Sequence, residues 1–400
     1  ARPELAPVTH YLDGRWTVSS DGTPSCHGGW DLNWKTVKPG KWHRAEVTCR
    51  ASDMASVQDS AHAELIFWKK NGKRADWRHV RFEPGSDGDL RFFIEAQAPA
   101  DATHATLRLM LRWTDRGRVD WRRPTLTAIP APKPRLVKVA ITTGKFPGGS
   151  VEANLAFALD LIEKAAVAGA KVICLPEVIT TLRTKDLRHD GARAIPGPET
   201  DALCAAAKRL GVDLVFSMSE LNGKLIHNTG LYIDSLKGIV GKYRKVHLAV
   251  GERWRGVTPG REFPVWNTGY GKAGMLICYD NVHAEAHRAL SQKGAEVLFL
   301  PIMGDPRAVG EKAFYKWKQI MSVRAMDNHV WFVVCQNKGE WGCVVRPDGE
   351  IVAEVNPEDG FALTEIDLNF RHDSWIGSDF ENRNWGERRP VVYGDLTEDR

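Results

Sequence analysis

The chain has 400 residues, 43% of them hydrophobic, which is enough to bury a large core and usually more than one domain. Its 55 basic and 50 acidic residues are dispersed and leave a formal net charge of only +5, so a nucleic-acid footprint is not indicated. No window approaches the roughly 18 consecutive apolar residues of a transmembrane helix, and seven cysteines without a C-x-x-C pair exclude a disulfide scaffold and a structural zinc ribbon.

The opening "ARPELAP" has no initiator methionine, basic n-region or apolar h-region, which fits a processed extracytoplasmic protein or a trimmed chain and leaves localisation open. Residues 1–132 hold eight of the fifteen tryptophans, and their apolar residues alternate with period two in "AELIFWK", "LRFFIEA" and "ATLRLMLRW". Turn signals break these runs at "NGK" (71–73), "PGSDGD" (84–89) and "DRG" (115–117). The pattern predicts an all-β antiparallel sandwich over 1–132. Its segmentation is similar to jelly-roll domains of carbohydrate-binding type, which would make a carbohydrate a partner; core packing is the competing use of the aromatic rings. Cys26 and Cys49 lie in this region and could pair only in an oxidising compartment. The segment "TAIPAPKPRL" then sets three prolines between two strand-like runs, as a stiff linker does, and marks a boundary near residue 132.

From 133 to 400 strands alternate with helices. "RLVKVAI" reads as a buried strand, and "SVEANLAFALDLIEKAAVAGA" as a helix with Ser150 as N-cap and Gly169 as its stop. "KVICLP", helix "ETDALCAAAKRLG", strands "VDLVFSMS", "HNTGLYID" and "GKAGMLI", helix "HAEAHRALSQKG", strand "AEVLFLP", a helix near 311–327 and strand "HVWFVVCQN" follow. This series predicts a layered α/β domain.

Open α/β sheets bind ligands at the carboxyl ends of strands, and three reactive groups are expected there. "KVICLP" delivers Glu177, "GKYRKVHL" delivers Lys245 and "GKAGMLI" delivers Cys278. A carboxylate, an ammonium and a thiol are the parts of a nucleophilic acyl-transfer site: a base, a stabiliser of developing charge and a nucleophile. A nearby cation would raise the thiolate fraction of Cys278. Lys245 reads as a supplier of charge rather than a packing element, so its removal is expected to abolish turnover at little cost in stability. A reaction of this kind needs no cofactor.

"LPE", "YRKVHL" and "CYDNVHAE", in this order and at these spacings, resemble the nitrilase superfamily of carbon-nitrogen hydrolases. The resemblance runs from about residue 135 to the C-terminus and includes "GERW", "VRAMDNHVWFVVCQN", "VRPDGEIVAE" and "ERRPVVYGDL". It implies a four-layer α-β-β-α sandwich, with Glu177 as general base, Lys245 as stabiliser, Cys278 as nucleophile, Glu252 as a second, positioning glutamate, and the backbone N–H of Tyr279 at the oxyanion site. It further implies a small-molecule amide substrate, a thioester intermediate, released ammonia and a homodimer or higher homo-oligomer. An N-carbamoyl amide hydrolase or a nitrilase would use the same residues, although "CYD" rather than Cys-Trp-Glu favours an amide. From another class, the chain would be a carbohydrate-binding protein with an inactive hydrolase half.

Two local features stand apart. His283 and Ala284 replace the Phe-Pro pair common in amidase-type members, and the basic loop after Glu177 offers Arg183, Arg188 or Arg193 to a substrate carboxylate, or simply to solvent. "HAEAH" places His283 and His287 at metal-sharing spacing, but the P-C-x-x-C and H-E-x-x-H partners of such sites are missing, so no metal is expected.

Overall fold

The computed structural model describes residues 2–184, 191–304, 311–337, 341–355, 358–371, 387–396 and 398, with side chains omitted for 311–316. The backbone gathers into two compact units, one formed by 1–133 together with 373–400 and the other by 134–372.

In the first unit, alternation becomes two antiparallel sheets. One has six strands, in the order Val8–Leu12, Arg15–Ser19, Arg118–Ile129, Trp42–Ser52, Leu90–Gln97 and Arg81–Pro84; the other has four, Cys26–Trp34, Ala102–Thr114, Ala61–Lys69 and Arg74–His79. Every second residue of neighbouring strands turns inward, so Ala63, Leu65 and Phe67 meet Leu107, Leu109 and Leu111 and pack with Phe92 and Trp121 of the facing sheet. All three turn signals fall between consecutive strands. Cys26 and Cys49 are buried free thiols.

The second unit holds two six-stranded mixed sheets. The first runs Gly238–Arg244, Leu225–Asp234, Asp213–Asn222, Val172–Cys174, Leu136–Thr142, Phe361–Asp367; the second runs Val265–Asn267, Lys272–Met275, Val297–Ile302, Trp331–Gln336, Gly342–Val345, Ile351–Glu354. The three strands Leu136–Thr142, Val172–Cys174 and Asp213–Asn222 are parallel, as are Lys272–Met275, Val297–Ile302 and Trp331–Gln336. Inner faces meet in one apolar layer, with Val139, Ile141, Val215 and Tyr243 from one sheet and Met275, Phe299, Val333 and Cys335 from the other. Helices Val151–Val167 and Pro198–Leu210 cover the outside of the first sheet, and Ala284–Gln292 and Glu311–Asn328 the outside of the second. Ser150 caps the first of these helices, its side chain accepting from the Ala153 N–H at 3.1 Å. Among the described residues no helix is long and apolar enough to cross a membrane.

Because both sheets, their covering helices and the layer between them lie within 134–372, that segment alone is expected to fold. Calorimetry or circular dichroism should show one cooperative melt. An insoluble or molten segment would show that residues beyond it complete the core.

Candidate active site

Glu177 follows the short strand Val172–Cys174, whose continuation is pinned by the Leu175 N–H on the Val215 carbonyl at 2.8 Å. Pro176 ends the strand, and Val178 takes a left-handed conformation (φ 47°) that a β-branched residue rarely adopts. The Ser217 hydroxyl, accepting from the Val178 N–H at 2.8 Å, helps hold that turn. Glu177 is thereby directed inward and is 3% exposed.

Alternation on the edge strand Gly238–Arg244 sorts the basic run. Lys242 and Arg244 point outward and both pair with the buried carboxylate of Glu220, Arg244 at 2.9 Å, while Tyr243 and Lys245 point inward. The Lys245 backbone is clamped on both sides: its N–H donates to the Asn228 carbonyl at 2.9 Å, and its carbonyl accepts from the Gly260 N–H at 2.8 Å. A Cβ on Gly260 would lie 2.0 Å from the Arg244 carbonyl oxygen, so this approach requires glycine.

Cys278 follows strand Lys272–Met275 and opens the 3-10 turn Cys278–Val282, itself left-handed at φ 48°. Asp280, fully buried, holds the turn. Its carboxylate accepts from the Ile277 N–H (2.9 Å), the Tyr243 hydroxyl (2.7 Å) and the His247 backbone N–H (2.9 Å), and the His247 ring Nδ1 lies 2.9 Å away. One side chain thus ties the thiol-bearing turn to the segment that carries Lys245.

The three strand-end residues converge. Lys245 Nζ lies 2.9 Å from Glu177 Oε1 and 2.8 Å from Glu252 Oε2. Glu252, on the short helix Val250–Trp254, also accepts from the Ala249 N–H at 2.9 Å. Glu177 Oε2 accepts from the Met303 N–H at 2.7 Å, at the carboxyl end of Val297–Ile302 in the opposite sheet. Asn228 donates to both glutamates, at 2.7 Å to Glu177 Oε1 and 2.9 Å to Glu252 Oε1. Its own Oδ1 is buried with no partner among the described residues, which costs about 1–3 kcal/mol and marks how strongly the amide is committed to the carboxylates.

One expectation, that Lys245 can be removed at little cost in stability, is corrected by this geometry. Burial, the charges of Glu177 and Glu252 and a hydrogen bond with Glu177 raise the Cys278 thiol well above its ordinary range, and Lys245 offsets them only partly, so the resting group is a thiol rather than a thiolate. Burial alone would push the Lys245 ammonium down, but Glu177, Cys278 and Glu252 outweigh it and the net shift is upward. Lys245 is 1% exposed between two carboxylates, so its removal leaves buried charge uncompensated and cannot be cheap in stability.

The remaining candidates divide. Tyr279 directly follows the nucleophile and its ring is exposed. Arg183 donates to the Phe146 carbonyl at 3.2 Å, Arg193 pairs with Glu199 at 2.8 Å, and Arg188 lies outside the described residues. His283 stacks on His247 with ring centroids 3.8 Å apart, whereas His287 lies buried against Asn281 Oδ1 at 3.0 Å, so the two imidazoles face different partners. Among the described residues no cluster of three metal-ligating side chains is present.

Glu220, which pairs with the neighbouring Lys242 and Arg244, is held down to about 2: burial would raise it, but the hydrogen bonds of Arg244, Lys242 and Thr229 and the charge of Lys242 win. A carboxylate lowered on folding stabilises above its unfolded value near 4.5 and loses that contribution as pH falls toward 2. Glu220→Gln is therefore expected to cost about 3 kcal/mol at pH 7, with the gap to wild type narrowing as the pH of the melt is lowered from about 4.5. A pH-independent gap would locate the effect in packing.

A family model described as carbon-nitrogen hydrolase matches residues 138–372. The omega-amidase of Xenopus tropicalis is 30% identical over 235 residues, covering 54% of this chain and 84% of the relative, and the nitrilase of Pyrococcus abyssi is 29% identical over 232 residues with the same two coverages. The crystal structure of the carbon-nitrogen hydrolase from Helicobacter pylori G27 is similar with a TM-score of 0.57 at 21% identity, covering 66% of this chain and 99% of that one. An amidase from Nesterenkonia sp. gives 0.52 at 19% identity, covering 65% and 96%. At such identities the structural likeness speaks for the fold. Taken with the matched family model, which spans more than half of the residues, it places this chain among the enzymes of the carbon-nitrogen hydrolase family, in the nitrilase superfamily.

Proposed function

We propose that the enzyme hydrolyses the amide of a small non-peptide substrate through a thioester on Cys278, releasing ammonia. The observation that carries this reading is the buried cluster in which Lys245 bridges Glu177 and Glu252 beside the thiol. Glu177 takes the thiol proton as Sγ attacks the carbonyl carbon, which avoids a free thiolate in surroundings that disfavour one. An ammonium has three N–H donors and the two glutamates occupy two, leaving the third for the developing oxyanion, together with the Tyr279 N–H. Glu177 returns its proton to the departing nitrogen, the C–N bond breaks, and ammonia leaves. It then deprotonates the water that cleaves the thioester, yielding the carboxylic acid and the free thiol.

Similarity to an omega-amidase and the "CYD" sequence support an amide over a nitrile or an N-carbamoyl compound. Ammonia release should be screened across aliphatic amides, N-carbamoyl amino acids and nitriles, with the fastest release expected from an amide. Release confined to one of the other classes would reassign the substrate, and release from none would remove the enzymatic reading.

In the first unit, Trp121 is fully buried and serves the core, and the Trp113 ring carries the guanidinium groups of Arg112 and Arg389, 4.0 and 5.3 Å from its centroid.

A further inference from the structure

On the outer face of the first sheet, alternation sets His227 and Thr229 of strand Leu225–Asp234 beside Lys242 and Arg244 of the edge strand, with Thr229 in register with Arg244. A groove of about 580 Å³ opens there, lined by Lys242, Arg244, Arg261, His227 and Thr258, with Glu262 the one acidic side chain on its wall among the described residues. Glu220 lies beneath, 2% exposed. Its lone pairs are filled by Lys242, by Arg244 Nε and Nη2 at 2.9 Å each, and by the Thr229 hydroxyl at 2.6 Å. It therefore fixes the two cations in place and presents no free acceptor to the groove. Lys242 spends one of its three N–H donors on Glu220 and Arg244 two of its five, so both keep donors for a ligand. His227, 3% exposed, offers the opposite function. Its Nδ1 lies 2.8 Å from the Thr258 carbonyl, which can only accept, so Nδ1 carries the proton. Burial, with the charges of Arg244 and Lys242, outweighs Thr258 and Glu220 and holds the ring below its ordinary range. Nε2 is then an acceptor, and it has no partner among the described residues.

We infer that this groove binds hydrogen phosphate, with Lys242, Arg244 and Arg261 taking the anionic oxygens and His227 Nε2 accepting from the P–OH. Three cations against one carboxylate on the wall set the sign of the ligand, and guanidinium groups suit tetrahedral oxyanions. The unfilled acceptor sets the second feature. An anion without a proton would bring a lone pair against the lone pair of Nε2, whereas hydrogen phosphate brings a donor. The site has its own side chains but shares backbone with the thiol cluster, because the wall segment 258–260 also clamps Lys245, whose carbonyl accepts from the Gly260 N–H at 2.8 Å.

Calorimetric titration of the full chain with sodium phosphate and with sodium sulfate, in neutral buffer at constant ionic strength, tests this. Both phosphate species present there carry a P–OH, while sulfate has the same shape and no proton. Sulfate should therefore bind about tenfold more weakly. Arg261→Gln should weaken phosphate binding about tenfold through the lost charge-assisted bond. His227→Phe keeps a ring, removes the acceptor and should bring the affinity for phosphate down to that for sulfate. Equal affinities of the wild type for the two anions, a preference for phosphate that survives in His227→Phe, or an unchanged affinity in Arg261→Gln would each overturn the inference, as would absence of binding up to about 10 mM phosphate. Should His227→Phe fail to fold, the wild-type preference and Arg261→Gln decide. Protein whose Cys278 has been alkylated with iodoacetamide should bind phosphate as the unmodified chain does; loss of binding there would put the anion in the thiol cluster and contradict a separate groove.

Discussion

Lys245→Ala is expected to lower turnover by at least about 10²–10³-fold, the usual effect of deleting one donor at an oxyanion site. It is expected to lower stability as well, because breaking a buried ion pair by removing one partner costs about 3–5 kcal/mol. Lys245 Nζ sits 2.9 and 2.8 Å from two carboxylates that would then face each other without a cation. Thermal melts of both proteins measure this directly. Activity within a few-fold of wild type would move the stabilising role elsewhere, although Lys242 and Arg244 are committed to Glu220 on the outer face.

Cys278→Ala should fold and release no ammonia. The alanine removes the nucleophile while leaving Asp280, which holds the turn, in place. Cys278→Ser should be nearly as inactive. Its alcohol has a far higher pKa than a thiol, and the neighbouring base is a carboxylate, not an imidazole set for a serine. Full ammonia release by the serine variant would show that the site activates an alcohol and that the proton path through Glu177 is misassigned.

The strand-end placement of Glu177 and Cys278 could be read from the chain because each follows an apolar run of strand length and is itself polar or reactive, whereas Lys245 sits in a basic run and stood out through the motif "YRKVHL". That visible break between core and edge is what a sheet terminus requires. Asn228 and Asp280 were less visible for a physical reason: neither performs chemistry, and each acts only through a contact created by pairing. Asn228 reaches Lys245 because the hairpin of Leu225–Asp234 and Gly238–Arg244 brings positions seventeen residues apart into one register. The signal available was the polar run "HNT" inside an otherwise apolar strand. Asp280 lies two residues beyond the nucleophile in "CYD", but its partners Tyr243 and His247 come from a different strand and loop. The net direction for Cys278 was hidden for a related reason. Lys245 lowers the thiol as a nearby cation should, but burial and two carboxylates, visible only once the chain is folded, outweigh it.

The central claim is that catalysis passes through a covalent acyl group on Cys278. Rapid acid quench during turnover of an amide identified by the ammonia screen, followed by intact mass and peptide mapping, tests it most directly. The expected result is an adduct with the mass of the acyl portion, on the peptide containing Cys278 and on no other cysteine. The buried thiols of Cys174 and Cys343 are raised by burial, and Cys204 also lies above its ordinary value. An acyl adduct mapping to Cys174, Cys204 or Cys335, or sustained ammonia release by Cys278→Ala, would contradict the account.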